Sequence, residues 1–329
     1  MKKKLGFQEK LVLVLVVAIL IVCTGMIFIS CGLGPQSKIS DPDSGSYALD
    51  FSNCFGDYCR ALVGSTMFTS DKSKMIADKE LTIEAWVKNT VPSATTTTST
   101  FTGGIFGRID TGGGIALFVN KGVPKAVIRN LPGTGTPTDY IVEGDSASYL
   151  LDSAWHHIAA VFVNRAESLA VSSTCTALDA SSVPHIDLYI DGTLHGCKGT
   201  SGNFATEPGD IYLAVGVLAE NLAGNNVDGL ALDKLAFPGI VDEARLWGVA
   251  RRKSQINQCK SKELALDDGT CGRMTPDCIG YLRLNEGAGA SINDWCGLGT
   301  GVLETYVGSV LYDWPTGWTT DTPNLTTTE

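Results

Sequence analysis

Hydrophobic and polar residues alternate with a period of two along most of the chain beyond residue 46. In the segment from Leu81 to Lys88, Leu81, Ile83, Ala85 and Val87 point one way, and Thr82, Glu84, Trp86 and Lys88 the other. That is the signature of a half-buried strand. Similar runs predict strands over 105–109, 115–119, 125–129, 155–164, 186–190, 211–217 and 239–247, with a further strand region opening at Tyr47. Asp191-Gly192 between two such runs is a hairpin turn signal. A Thr-rich stretch over 89–104 reads as a loop. One helix is predicted over 254–264, where a polar cap precedes helix-forming residues. Many short strands and almost no helix predict an all-β, two-sheet antiparallel sandwich.

The start of the chain breaks this pattern. Lys2, Lys3 and Lys4 precede Leu11 to Ser30, a run of 20 residues without a charge. A bilayer-spanning helix needs about 20 apolar residues, and basic residues stay on the inner side. Residues 1–31 are therefore expected to be a signal peptide or membrane anchor that places the body of the chain in the cell envelope. Ser30-Cys31-Gly32 resembles a bacterial lipobox, which would make Cys31 the lipidated N-terminus; Phe28 departs from the Leu that this motif favours. An uncleaved signal-anchor fits the length equally, since cleaved signals have apolar cores of about 7–15 residues. A pilin-type leader cut after Gly6 is the third reading, although Leu11, Glu9 and Lys10 depart from it. Residues 32–46 read as a linker, and the Thr-rich tail over 319–329 as disordered.

Ten cysteines are present. Cys23 and Cys31 belong to the leader, leaving Cys54, Cys59, Cys175, Cys197, Cys259, Cys271, Cys278 and Cys296. An even number in an exported domain predicts disulfides, with a connectivity that sequence cannot choose. Cys175 and Cys197 flank the strand at 186–190 and are expected to pair. A zinc site is disfavoured, because no Cys-x-x-Cys occurs and the four histidines make no zinc-like spacing with the cysteines. Net charge is −10, and with four lysines in the leader the remainder is more acidic still. That sign argues against nucleic acid as a partner and is compatible with cation binding.

Five segments in order carry a family resemblance. They are the opening Ala48-Leu-Asp-Phe-Ser with Gly56-Asp-Tyr-Cys, then Leu81-Thr-Ile-Glu-Ala-Trp-Val, Trp155-His-His-Ile-Ala-Ala-Val-Phe, Leu188-Tyr-Ile-Asp-Gly, and Pro238-Gly-Ile-Val-Asp-Glu-Ala-Arg-Leu-Trp. Together, across residues 47–260, they resemble a LamG-like jellyroll domain of the concanavalin A-like lectin/glucanase folds. The resemblance implies a jelly-roll sandwich over 47–266 that binds glycan or extracellular protein ligands in adhesion or surface recognition. The rival readings are a polysaccharide-degrading enzyme on the same fold and a pilin-like surface subunit. Residues 267–318 read as a Cys-containing extension that packs on the sandwich.

Each candidate for chemistry has a plain structural reading beside it. His156 and His157 fall on opposite faces of one strand, and the resemblance places His157 beside Trp155 on a buried face. Asp187 and Asp191 lie four apart and could form a carboxylate pair of the glycosidase kind, yet the Glu-x-Asp-x-Glu signature of glucanase relatives is absent. Catalytic residues are therefore not expected. By strict alternation Glu243 and Arg245 share a face and Asp242 faces away from Arg245, which reads as a surface ion pair of little worth. Relatives of this fold often hold a structural calcium, which takes several oxygens; Asp57, Asp110 and Asp242 are the candidate ligands. Trp314 and Trp318 are the aromatics considered for sugar stacking, with core packing the alternative, and Trp155 is expected to be buried between the sheets.

Overall fold

The computed structural model describes residues 47–53, 58–63, 80–90, 101–110, 113–130, 138–144, 149–163, 185–200, 213–216, 227–228, 230, 235–264, 269–272, 277–296, 299–307, 310–313, 318–323 and 325. The leader, Cys31, Cys54, Asp57, Cys175 and Trp314 lie outside them. Among the described residues no helix is long and apolar enough to cross a membrane.

The strands are β1 (Ala48–Asp50), β2 (Tyr58–Val63), β3 (Leu81–Asn89), β4 (Gly103–Asp110), β5 (Gly113–Asn120), β6 (Val123–Asn130), β7 (Thr138–Glu143), β8 (Trp155–Val163), β9 (His185–Ile190), β10 (Thr193–Gly199), β11 (Leu213–Gly216), β12 (Gly239–Trp247), β13 (Cys278–Leu282), β14 (Ser291–Asp294), β15 (Gly299–Val307), β16 (Val310–Asp313) and β17 (Trp318–Thr319). One helix, α1, spans Lys253–Cys259. All named ladders are antiparallel. The first layer runs β17–β1–β12–β3–β8–β9–β10, and the second runs β16–β15–β2–β11–β4–β5–β6–β7. β13 pairs with the far half of β12 and passes through β14 to β15, joining the layers at one end. Residues 278–319 thus supply strands to both layers.

The main core lies between the layers. Ile83, Ala85 and Val87 of β3, Ile158, Ala160 and Phe162 of β8 and Val241, Ala244 and Leu246 of β12 meet Ala61, Leu117, Ala126 and Val215 from the second layer. The alternation of β3 puts its apolar set on this side, as the sequence pattern predicts. Asp191 and Gly192 have φ of 53° and 78° and directly join Ile190 to Thr193, the geometry of a two-residue hairpin with both central residues left-handed.

The outward side of the first layer is also covered. α1 and the segment after it bury Ala159, Val161, Val163, Tyr189 and Leu194 against Ile256, and Trp247, Cys259, Leu264, Cys271, Cys278 and Tyr281 with one another. α1 begins where Gln255 Oε1 accepts the Arg252 N–H at 2.8 Å. It ends at Cys259, short of the predicted Leu264. Leu264 is buried without being helical, because its N–H donates to the Tyr281 hydroxyl at 3.2 Å instead.

Disulfides hold this cover. Cys259–Cys271 and Cys278–Cys296 are formed, with Cα–Cα distances of 5.4 and 6.0 Å. Cys59 and Cys197 are disulfide-bonded as well; Cys175, the expected partner of Cys197, lies outside the described residues. The expected disorder from Thr319 is corrected at its start. Trp318 and Thr319 pair with β1, and Asp321 accepts from Lys88 Nζ at 2.5 Å and from Trp155 Nε1 at 3.1 Å, so polar contacts hold a segment whose composition alone suggests none.

Candidate functional site

The densest chemistry lies on the outward face of the first layer, between β3, β8, β12 and α1. Strand register places Arg245 beside Glu84 and Glu84 beside Ala159, and Asp242 beside Trp86 and Trp86 beside His157. Directly paired residues share a face, so Asp242 and Arg245 point the same way. This corrects the sequence parity. Glu243 has φ of 51° at a register shift between Asp242 and Arg245, and this bulge inserts one residue into β12. Val241 and Ala244, not Val241 and Glu243, then face the core.

The Glu243–Arg245 pair is buried, not on the surface: Arg245 is 0% and Glu243 3% exposed. Arg245 donates to Glu243 Oε2 at 2.5 Å, to the Lys262 carbonyl at 2.5 Å and to the Cys259 carbonyl at 3.0 Å. The Tyr281 hydroxyl donates to the same carboxylate at 2.8 Å. Glu84 accepts from Trp247 Nε1 at 2.9 Å and lies 3.5 Å from both Arg245 and His157. Arg251 stacks over Trp247 at 3.8 Å and donates to the Thr270 carbonyl at 3.2 Å. Burial pushes the carboxyls of Asp242 and Glu243 upward; Arg245 opposes the rise in both, and the neighbouring Glu243 adds to it at Asp242. Burial lowers His157 to about 4 despite the attraction of Glu84, so its imidazole is neutral near pH 7. Glu84 stays below the usual carboxylate range because His157, Arg245 and Arg251 together outweigh burial, its largest single influence.

His157 packs edge-on against Trp86 with ring centroids 5.5 Å apart. Trp155 is not buried between the sheets as expected. It is half-buried at the start of β8, on the outward face. His156 faces the other way and engages two carboxylates, with Nδ1 2.7 Å from Asp191 Oδ2 and Nε2 3.0 Å from Asp152 Oδ1. Its pKa is raised: burial alone would lower it, but the hydrogen bonds and charges of Asp191 and Asp152 prevail.

Asp187 and Asp191 do not form a pair. Asp187 is buried on the outward face opposite Val161 and bonds the Tyr189 hydroxyl. Asp191 sits in the turn, where its carboxylate takes His156 and the His157 N–H at 2.9 Å. The candidate calcium ligands are Asp57, Asp110 and Asp242. Asp57 is outside the described residues, and Asp110 ends β4 in the second layer. Asp242 lies on β12 in the first layer, where its carboxylate accepts the Glu243 N–H at 2.8 Å. Among the described residues no group of three or more His, Cys, Asp or Glu side chains is placed to hold a metal ion. Trp318 is half-buried, with its indole N–H donated to the Gly289 carbonyl at 2.9 Å.

Sequence reasoning missed Glu84, Trp247, Arg251 and Tyr281 as members of the network. The available signal was Glu84 itself, a charged residue in the middle of the most regular strand pattern of the chain.

Residues 64–257 match a family model described as concanavalin A-like lectin/glucanases superfamily, of the laminin G type. No curated protein matches the chain. Among solved structures, a Bacteroides ovatus ATCC 8483 protein assigned a carbohydrate-binding role is 16% identical, covering 82% of this chain and 60% of its own, at a TM-score of 0.43. Domains LG4-5 of the mouse laminin alpha1 chain are 12% identical, covering 64% of this chain and 44% of theirs, at 0.40. The CBM40 of a Ruminococcus gnavus IT-sialidase is 9% identical, covering 64% of this chain and 96% of its own, at 0.38. The chain thus spans less than two thirds of the first two. With more than half of its length matched by the family model, the chain belongs to the concanavalin A-like lectin/glucanases superfamily.

Proposed function

We propose that the chain is an exported, envelope-anchored module that binds glycan or extracellular protein ligands in adhesion or surface recognition. The observation that carries this reading is membership of a lectin/glucanase superfamily over residues 64–257, taken together with the state of the carboxylates. Hydrolysis on this fold would need two carboxyl groups about 5–10 Å apart flanking a sugar. Glu243 is instead held inside the protein by Arg245 and Tyr281, and Asp187 is buried beside Tyr189. Fold alone does not decide function, so the binding reading rests on where these side chains are committed.

Anchoring rests on the charge-free run from Leu11 to Ser30 and on Ser30-Cys31-Gly32. Lipid on Cys31 would hold the domain at the envelope surface, with residues 32–46 as tether.

Screening the purified full chain against arrays of glycans and extracellular matrix proteins tests binding; failure to retain any of them removes the proposal. Hydrolysis of a polysaccharide that disappears in Glu243→Gln or Asp187→Asn would replace it with the enzyme reading. Incorporation of labelled palmitate into the wild type but not into Cys31→Ser tests the anchor, and its absence from the wild type refutes lipidation.

A further inference from the structure

We infer that Trp86 and Trp155 form an aromatic platform for the pyranose rings of a neutral glycan, bracketed by Lys88 and Asp321. This rests on the binding reading above and gives it a place and a ligand class. Both indoles project from the outward face of the first layer. Lys88 pairs with Trp155 and Trp86 with His157, so the two tryptophans are diagonal neighbours across β3 and β8, about 7–8 Å apart and somewhat less between Cβ atoms. Both are half-buried, whereas the same outward face further along is buried: Ala159 and Val161 lie against Ile256 of α1, Thr82 bonds the Val249 carbonyl and the Arg251 N–H, and Glu84 bonds Trp247. The cover touches Trp86 at its indole N–H, through the Lys260 carbonyl, and leaves both tryptophans partly exposed.

Their orientation is fixed in advance. Trp86 donates its indole N–H to the Lys260 carbonyl at 2.6 Å, and Trp155 donates to Asp321 Oδ1 at 3.1 Å. His157 packs edge-on against Trp86. Rings held in this way lose little freedom when a ligand stacks on them. The polar tips are spent on the protein, and what the rings can offer a ligand is their flat faces, which suit the C–H face of a sugar.

The bracket supplies the polar half of a sugar site. Lys88 and Asp321 form an ion pair at 2.5 Å, with side chains 22% and 41% exposed. A carboxylate that accepts two hydrogen bonds keeps further lone pairs for hydroxyls. The pair is neutral as a unit, and Lys260 is spent on the Asp191 carbonyl. The chemistry therefore favours a neutral glycan over an acidic one.

The full chain labelled with 5-fluorotryptophan gives one fluorine resonance for each of its six tryptophans, assigned through single Trp→Phe variants. It is titrated with cellotetraose, mannotetraose and galactotetraose, and with tetragalacturonate as the acidic probe. The expected result is a saturable shift of the Trp86 and Trp155 resonances with at least one neutral probe. Trp155→Ala should then weaken that probe by about tenfold, while Trp155→Phe keeps most of the affinity. Asp321→Asn removes the carboxylate charge from the bracket while its amide oxygen can still accept the Trp155 indole N–H, and should weaken binding severalfold. The other fluorine resonances report whether each variant is folded. If a neutral probe binds while these two resonances stay still, the platform is wrong and glycan binding stands. If only the acidic probe moves them, the assignment to neutral glycan is overturned. If no probe binds and the glycan arrays are also blank, platform and glycan reading fall together.

Discussion

Replacing Arg245 by Met should cost about 4 kcal/mol of stability. A surface ion pair is worth about 0–1 kcal/mol, but removing one partner of a buried pair costs about 3–5 kcal/mol, because the other charge is left inside without compensation. Arg245 is wholly buried. Its loss leaves Glu243 with the Tyr281 hydroxyl, and leaves the Cys259 and Lys262 carbonyls without this donor. Met keeps most of the apolar stem, so the loss reports the charge and its hydrogen bonds, and the remaining tyrosine bond keeps the figure from the top of the range. Adding Glu243→Gln removes the stranded charge, and the double variant should lose at least about 1 kcal/mol less than the two single losses combined. Urea unfolding followed by tryptophan fluorescence measures all four proteins. Arg245 is one of the groups that oppose the upward push of burial on Glu243. Without it Glu243 protonates more readily, so the deficit of Arg245→Met should be smaller at about pH 5 than at about pH 8. A single variant within about 1 kcal/mol of wild type at the higher pH would refute the buried network.

Three further outcomes follow from the same geometry. His157 titrates near 4 when folded against 6.5 when free, so the unfolded chain takes up the proton first and stability falls as pH drops through that window; wild type should lose up to about 3 kcal/mol relative to His157→Leu between pH 6.5 and 4, and parallel stability curves for the two proteins would contradict this. His156 is shifted the other way, so its clamp on Asp152 and Asp191 is complete below pH 6.5 and is lost as pH rises through its higher folded value; NMR titration of the imidazole should show protons on both ring nitrogens at pH 6.5, and His156→Gln should remove that alkaline loss. Cys271→Ala opens the loop closed on Cys259, 12 residues away, and should lower stability by about 2–4 kcal/mol under non-reducing conditions; an unchanged urea midpoint would mean that the cover over Trp247 does not depend on the bridge.

The parts of the fold legible in the sequence are those set by local rules. The period of two in β3 marks its core face, and Asp191-Gly192 marks the β9–β10 hairpin, because side-chain alternation and left-handed turn residues act within a few positions. What was hidden depends on residues far apart in the chain. Nothing near Trp155 reveals that its indole meets Asp321, 166 residues on, which is why composition read the tail as disordered and the ring as core. The outward face of β3 and β12 departs from its sequence pattern for a related reason. Strict alternation assumes an unbroken ladder, whereas Glu243 sits in a left-handed bulge that only its environment accounts for. A non-glycine residue with positive φ costs free energy, and Arg245, together with Tyr281 from 38 residues away, bonds its carboxylate and offsets that cost. The bulge in turn moves Ala244 into the core and leaves Asp242, Glu243 and Arg245 buried, with Arg245 bonded to Glu243 and to the Cys259 and Lys262 carbonyls. One inserted residue thus converts what reads as a surface ion pair into a buried charge network, and beside it Trp86 and Trp155 remain half-buried.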